Sequence, residues 1–376
     1  MASIGGLGAD APIYAQQINN FAGELFKVGG QRTPLLSAVG GLNGGKVLNS
    51  TYWQVQVEDS AIINSEPTKG QEGNSPTEYL GRDRSAFTYV TQIFHKGVQM
   101  TYTALASTGN QNPFTLSANV VNQSDGDGTT TAGAAQGLFG GSPVNDEFAL
   151  QLEKALEKVA REAEWFAFNG SFSDGANVTP GSGTREMWGI DHWVSQNKNA
   201  SNSVAASANP LGGNCFYNDA AGDGSGSARV LSFDAIAGAM KRLYDAHAPL
   251  NQPVLCVSPK QLLDLNTELI GGNVGITGAI IPRDRNVAGI DIDTVVTPFG
   301  SIGLMVIDPD IMPTGSSFIL DMAHIQPVFT NIPGFGTVFV RDLDQDANAR
   351  IGKAIYMEMG FEFGPPSYHC KIQAVA

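Results

Sequence analysis

The sequence predicts an α+β protein organised around one long helix, and three observations carry that prediction. Residues 142–170 hold a proline only at the first helical position and place apolar residues at three- and four-residue steps. Residues 50–57 and 86–102 read as strands flanking about 25 weakly apolar residues. The second half then mixes helical and strand patterns, with strands before and after helices.

The long helix is the clearest element. Ser142 is placed to cap the free N–H groups of the first turn, and Pro143 lacks an N–H that would be unpaired there anyway. Phe148, Leu152, Ala155, Leu156, Val159, Ala163 and Phe166 form one apolar stripe, and Asn169-Gly170 offers a left-handed exit. At 1.5 Å per residue the helix spans roughly 40 Å, so several other elements must cross it. A single run without flanking heptads argues against a coiled coil and for a strut.

The other elements follow in order. Residues 11–26, between Gly5-Gly6 and Gly29-Gly30, read as an arm able to leave the body, and order resumes at Thr33-Pro34-Leu35-Leu36. Residues 40–45 are a glycine-rich turn. STYWQVQV (50–57) is a strand, and residues 86–102 read as one further strand with Gly97 as a bulge. The segment between them is too long for an ordinary loop in a compact domain, so it is expected to serve as a lid or reach a neighbouring subunit. Residues 107–141 and 197–226 are polar, glycine-rich insertions, and 172–183 is loop. Between the last two stretches lies an apolar patch, Met187 to Val194, with indoles at Trp188 and Trp193.

Ser232 opens a second helix with Phe233, Ile236, Met240 and Leu243 on one stripe. Residues 252–257 are a buried strand, and Ser258-Pro259-Lys260-Gln261 is a capping box starting a helix that stops at Gly271-Gly272. A flexible loop is expected over 273–286, then two strands joined at Gly300. Residues 308–315 read as a turn, and 316–329 as strand broken by Pro327. Strands over 336–340 and 354–363 enclose an acidic turn.

Composition bounds the function. The 376 residues suffice for two or three domains, and charged residues are 15% of them against a usual ~25%. That leaves two readings: a surface covered by neighbours, or a monomer coated with Ser, Thr and Asn. A net charge of −14 argues against gripping nucleic acid but not against enclosing it. Three cysteines, Cys215, Cys256 and Cys370, imply no disulfide framework. The opening MASIGGLGADAP does not read as a signal peptide, and no stretch is apolar enough to predict a membrane span.

No phosphate loop, zinc motif or nucleophile elbow is present, so no catalytic, cofactor or metal site is assigned. Asp342, Asp344, Asp346 and Asn348 have the spacing of half a calcium loop. Ala347 and Lys353, however, stand where Gly and Glu are needed, and an acidic hairpin turn is the better reading. Asp125 and Asp127 are too few for a site. His95, His192, His247, His324 and His369 are scattered, and Cys256 reads as a core residue. Two Arg-Asp-Arg runs, Arg82-Asp83-Arg84 and Arg283-Asp284-Arg285, sit near the bases of loops. They are solvated turns or arginines that reach acidic surface on a neighbour.

Set in serial order, several segments resemble tailed-bacteriophage major capsid proteins with the HK97-like fold, specifically the SU10-like branch. They are Asn49 to Gln54, Tyr89 to Phe94, Leu150 to Phe168, Met187 to Ile190, Val254 to Pro259, Phe299-Gly300, Met312-Pro313 and Leu320-Asp321. The resemblance covers about residues 30–370. It implies an N-terminal arm with lead-in (1–49), an extended β-hairpin E-loop (50–102), and a P domain (103–231) holding the spine helix 142–170. It further implies an A domain over most of 232–330 and a return to the P-domain sheet over 331–376.

The implied function is a non-enzymatic one: copies assemble as pentamers and hexamers of an icosahedral phage head enclosing double-stranded DNA. The implied place is the virion, assembled in the host cytoplasm, with no cofactor and no membrane partner. Decoration, scaffolding and portal proteins are the further partners to expect, and the missing helical leader would put scaffolding in a separate protein. Lys69, near the E-loop tip, makes covalent cross-linking formally conceivable, but nothing else supports it. The alternative within the fold is an encapsulin-like compartment. Outside it stand a β-rich adhesin, or an enzyme whose Asp, His and Cys would have to converge in one pocket.

Overall fold

A run of five residues, PVLCV, explains the middle of the molecule, because every side chain after its proline is buried. Val254 and Cys256 face one hydrophobic core and Leu255 and Val257 the other, as the two-residue period of a strand requires. A strand apolar on both faces belongs at the centre of a covered sheet. The computed structural model places it there and describes residues 32–58, 72, 84–102, 147–173, 184–195, 213–221, 225–271, 280–287, 290–343, 349–373 and 375.

The described elements are α1 (Pro34–Ala38), β1 (Lys46–Leu48), β2 (Tyr52–Glu58), β3 (Arg84–Val90), β4 (Gln92–Thr101), α2 (Glu147–Asn169), β5 (Ser171–Ser173), β6 (Glu186–Trp188), α3 (Ile190–Ser195) and β7 (Asn214–Tyr217). They continue as α4 (Phe233–Asp245), β8 (Pro253–Val257), α5 (Pro259–Gly271), β9 (Ile280–Val287), β10 (Ile290–Thr297), β11 (Gly300–Val306), β12 (Ser316–Asp321), β13 (Gln326–Thr330), β14 (Val338–Asp342), β15 (Arg350–Glu362) and β16 (Cys370–Gln373).

The chain divides into two compact units. Of the described residues the smaller holds 97–102, 147–155, 342–343 and 349–354. In it the Tyr102 N–H donates to Ala349 at 3.1 Å and the Leu343 N–H to Gly352 at 2.9 Å. A Cβ on Gly352 would stand 3.0 Å from Gln99 and 3.1 Å from Leu343, so the backbones approach closely there.

The larger unit holds both cores and a seven-stranded sheet of order β7-β16-β12-β8-β11-β10-β9. Leu231, Ile236, Met240 and Leu243 cover one face with Leu255, Leu304 and Ile319. On the other face Phe168 of α2 meets Phe318 at 6.0 Å. The capping expectations at Ser258 and Ser232 hold: Ser258 N–H donates to Gln261 Oε1 at 2.8 Å, Gln261 N–H returns to Ser258 Oγ at 3.4 Å, and Ser232 Oγ accepts from Ala235 at 3.2 Å.

A five-stranded sheet runs β1-β13-β15-β14, with β4 also on β15. The single strand expected over 86–102 is two. It divides at Thr91, whose N–H donates to Thr51 O at 3.0 Å and whose hydroxyl receives that of Thr330 at 3.2 Å. β3 then pairs with β2 and β4 with β15. The 316–329 strand also divides, though not at Pro327. The break is a short 3₁₀ turn, Met322–His324, capped by the Asp321 carboxylate. Pro327 sits inside β13 opposite Phe361, and pairing with β1 begins one residue later, at Val328.

Other expectations are corrected. Asn214–Tyr217, inside the polar stretch 197–226, forms strand β7 against β16. Strand β9, which takes in the second half of the flexible loop expected over 273–286, pairs with β10. Leu156 is 40% exposed instead of lying on the buried stripe, which starts at Val159. Gly170 is not left-handed; it is there for space, since a Cβ would stand 2.4 Å from Met187 O. Ser142, Pro143 and the insertion 107–141 lie outside the described residues.

Candidate functional site

The β2–β3 hairpin is rooted on a stack of aromatic rings. Its register runs from Tyr52↔Val90 to Glu58↔Arg84, which brings Trp53 opposite Tyr89 with ring centroids 5.4 Å apart and 13° between planes. Tyr89 then meets Trp193 at 4.9 Å, Phe87 meets Trp193 at 5.1 Å, and Trp193 meets Trp188 at 5.4 Å. The two indoles of the apolar patch are therefore the socket of the hairpin.

Polar ends of these rings are all used. Trp53 Nε1 donates to Glu362 at 3.2 Å, Trp188 Nε1 to Thr88 O at 2.9 Å, and Trp193 Nε1 to Gly364 O at 3.1 Å. Burial, with the Glu362 charge nearby, pushes the Tyr89 phenol well above its ordinary range. A socket with this many directed bonds fixes the angle at which the hairpin leaves the body.

The lead-in to the hairpin is held by an acid. Glu164 is buried, and its two oxygens accept the N–H groups of Leu35 and Leu36, each at 3.3 Å. Burial pushes its carboxyl up to about 8, while the two N–H donors pull the other way. One turn earlier on α2, Arg161 reaches Asp308 at 2.9 Å and Asp310 at 3.3 Å, and Asn169 donates to Ile311 O at 2.7 Å. The long helix thus clamps both the lead-in and the turn after β11.

The chain passes from one sheet directly into the other after Asp321 and after Glu362, and His369 ties these two passages together. Its Nδ1 accepts the Asp321 N–H at 3.2 Å and its Nε2–H donates to Phe363 O at 2.5 Å. Burial lowers its pKa to about 4. The Asp321 carboxylate accepts from Asn251, Gln252 and Ala323, and His324 Nε2 lies 3.7 Å from it.

The residues singled out from the sequence do not converge. His95 faces Tyr356, His324 and His369 meet at the crossover, His192 lies in α3 and His247 follows the end of α4. Cys256 is fully buried, and burial pushes its thiol up, as a core residue requires. Asp342 pairs with Lys353 at 3.7 Å, while Asp344, Asp346 and Asn348 lie outside the described residues. So do Lys69, Arg82, Asp83, Asp125 and Asp127. Arg84 stands in β3 and Arg283, Asp284 and Arg285 in β9, on strands and not in turns. Among the described residues no three metal-ligating side chains cluster, and no helix is long and apolar enough to cross a membrane.

Sequence reasoning passed over Glu164, Glu362 and the Asp321–His369 tie. Glu164 did leave a signal, since it stands four residues before buried Phe168 and beside Ala163, on a face that should carry no charge.

Comparison with solved structures places the architecture. The asymmetric unit of the cyanophage A-1(L) capsid matches with a TM-score of 0.61 at 12% identity, covering 98% of this chain and 99% of that one. Capsids of empty and native GTA particles match with TM-scores of 0.55 and 0.52, both at 13% identity. They cover 98% of each chain and 100% of each chain respectively. No curated protein matches the sequence. The fold is thus that of an HK97-like α+β capsid protein. The chain belongs to the SU10 major capsid protein family, whose pattern it matches over residues 8–376, so it is a structural capsid protein and not an enzyme.

Proposed function

We propose that many copies of this chain tile a closed icosahedral shell, as pentamers and hexamers, around double-stranded DNA inside the virion. The observation that carries this reading is the hairpin: β2 and β3 are locked at their base by Trp53, Tyr89 and Trp193, with 59–83 at their far end. A rigid root with about 25 residues joining its two strands suits an E-loop laid over a neighbouring subunit. On this reading 1–49 is the arm and its lead-in, 50–102 the E-loop, 103–231 and 331–376 the P domain, and 232–330 mostly the A domain.

The charge of −14 fits a container whose wall confines DNA without gripping its phosphates. Scaffolding, portal and decoration proteins complete the expected set of partners. Electron microscopy of the purified protein tests the proposal. Wild-type chain is expected to give closed particles, and a chain lacking 59–83 is expected to give none of full size. Equally stable shells from the shortened chain would remove the E-loop role. Nuclease-resistant DNA in particles from infected cells separates a phage head from an encapsulin-like compartment.

A further inference from the structure

Between β13 and β14 the chain leaves the five-stranded sheet in a tight turn, and a phenylalanine stands at its tip. Ile332 and Gly336 exchange backbone hydrogen bonds of 3.0 Å each, and the Phe335 N–H also donates to Ile332 O at 3.0 Å. Gly334 and Gly336 have φ of 86° and 95°, and nothing lies within 4 Å of where a Cβ would be. The glycines therefore serve the turn itself, which projects clear of the body. Phe335 is 60% exposed.

The ring is buttressed nonetheless. Phe335 meets Phe339 of β14 at 5.0 Å, Phe339 meets Tyr356 of β15 at 5.4 Å, and Tyr356 meets His95 of β4 at 5.8 Å. The Tyr356 hydroxyl donates to Glu358 at 2.5 Å, and Glu358 is paired with Arg185 at 3.4 Å, both carboxylate and guanidinium nearly buried. Ile93, 46% exposed, shares the His95 side of β4, opposite buried Phe94. A row of rings thus crosses three strands and ends in solvent.

Charge and area say what would cover it. Two copies at −14 repel each other, so contact between them needs uncharged area, and this row supplies it. An aromatic side chain buries about 150–250 Å², so the row offers several hundred Å², short of the ~800 Å² per partner of a stable pair. Such a surface does not dimerise alone but works as one of several contacts on each copy. Rings already held in place lose little entropy on binding, which is the property of an anchor residue.

We propose that Phe335, backed by Phe339, Tyr356 and His95, is a contact by which one copy seats on a second copy of this chain, engaged only in the assembled particle. This rests on the shell reading above. With p-benzoylphenylalanine at position 335, irradiated particles are expected to give covalently joined copies and free subunits are expected to give none. Particles without inter-copy products overturn the contact, as do products confined to another protein. Phe335→Ala is expected to leave subunit unfolding unchanged while raising the protein concentration needed for assembly about tenfold, and Phe335→Trp is expected to restore it. Phe335→Ala particles that form and persist like wild type overturn the proposal. An unsubstituted control that forms no particles at all overturns the shell reading itself, so the two failures are distinct.

Discussion

The Glu164 carboxylate accepts the backbone N–H of Leu35 at 3.3 Å across 129 positions of sequence, joining the middle of the long helix to the lead-in of the hairpin. The acid is buried against its own charge, with Asp308 adding to the burial penalty and Arg161 opposing it. Its native pKa of about 8 lies above the ordinary 4.5, so its contribution to stability is fully present below about 4.5 and is lost as pH rises through 8. In urea melts, the wild-type midpoint should fall relative to Glu164→Gln across that window. Glu164→Ala leaves two N–H groups without acceptors and should cost about 1–3 kcal/mol at pH 5.

His369 titrates with the opposite sign. Its native pKa of about 4 lies below the ordinary 6.5, so its contribution is present above about 6.5 and is lost as pH falls through 4. The physical reason is burial, which penalises the imidazolium; protonation would also put an N–H on Nδ1, where the Asp321 N–H now donates. Urea melts at pH 7, 5 and 4 should show an acid-side loss that His369→Phe flattens, with lower stability of the variant at pH 7.

Gly170 and Gly189 meet backbone to backbone. Gly189 N–H donates to Gly170 O at 2.9 Å, and a Cβ on Gly189 would stand 2.2 Å from Gly170 N. Backbone cannot swing aside as a side chain can, so Gly189→Ala should cost about 1–3 kcal/mol or more in thermal unfolding. Gly334→Ala, with open space around it, should cost only the strain of its left-handed φ.

Trp53 tests the hairpin socket. Trp53→Ala removes a largely buried indole stacked on Tyr89 and should cost about 3–5 kcal/mol by chemical denaturation. Trp53→Phe keeps a ring on Tyr89 but leaves Glu362 without the indole N–H, and should lose less.

Cys215, Cys256 and Cys370 are all buried, and none of them is in a disulfide. A thiol reagent is expected to label none of them in the native protein within minutes, and all three in denaturant.

The amino-acid pattern alone determined the local elements. Ser258 and Gln261 announce their helix because both capping partners lie within four residues, and the long helix, the hairpin strands and the indole pair are legible for the same reason. The serial order of short segments also pointed to the capsid family. Tertiary structure alone decided what depends on distant partners. Asn214–Tyr217 is strand because β16 offers it an edge, and 280–287 is strand because β10 does. The chain changes sheets at Met322–His324 and not at Pro327, because the Asp321 carboxylate caps the turn there. Glu164 is buried because the N–H groups of Leu35 and Leu36 reach it from the far side of the chain. A backbone hydrogen bond made within a few residues can be read from those residues; one made across a hundred cannot, since the chain records neither its partner nor its neighbour's free edge.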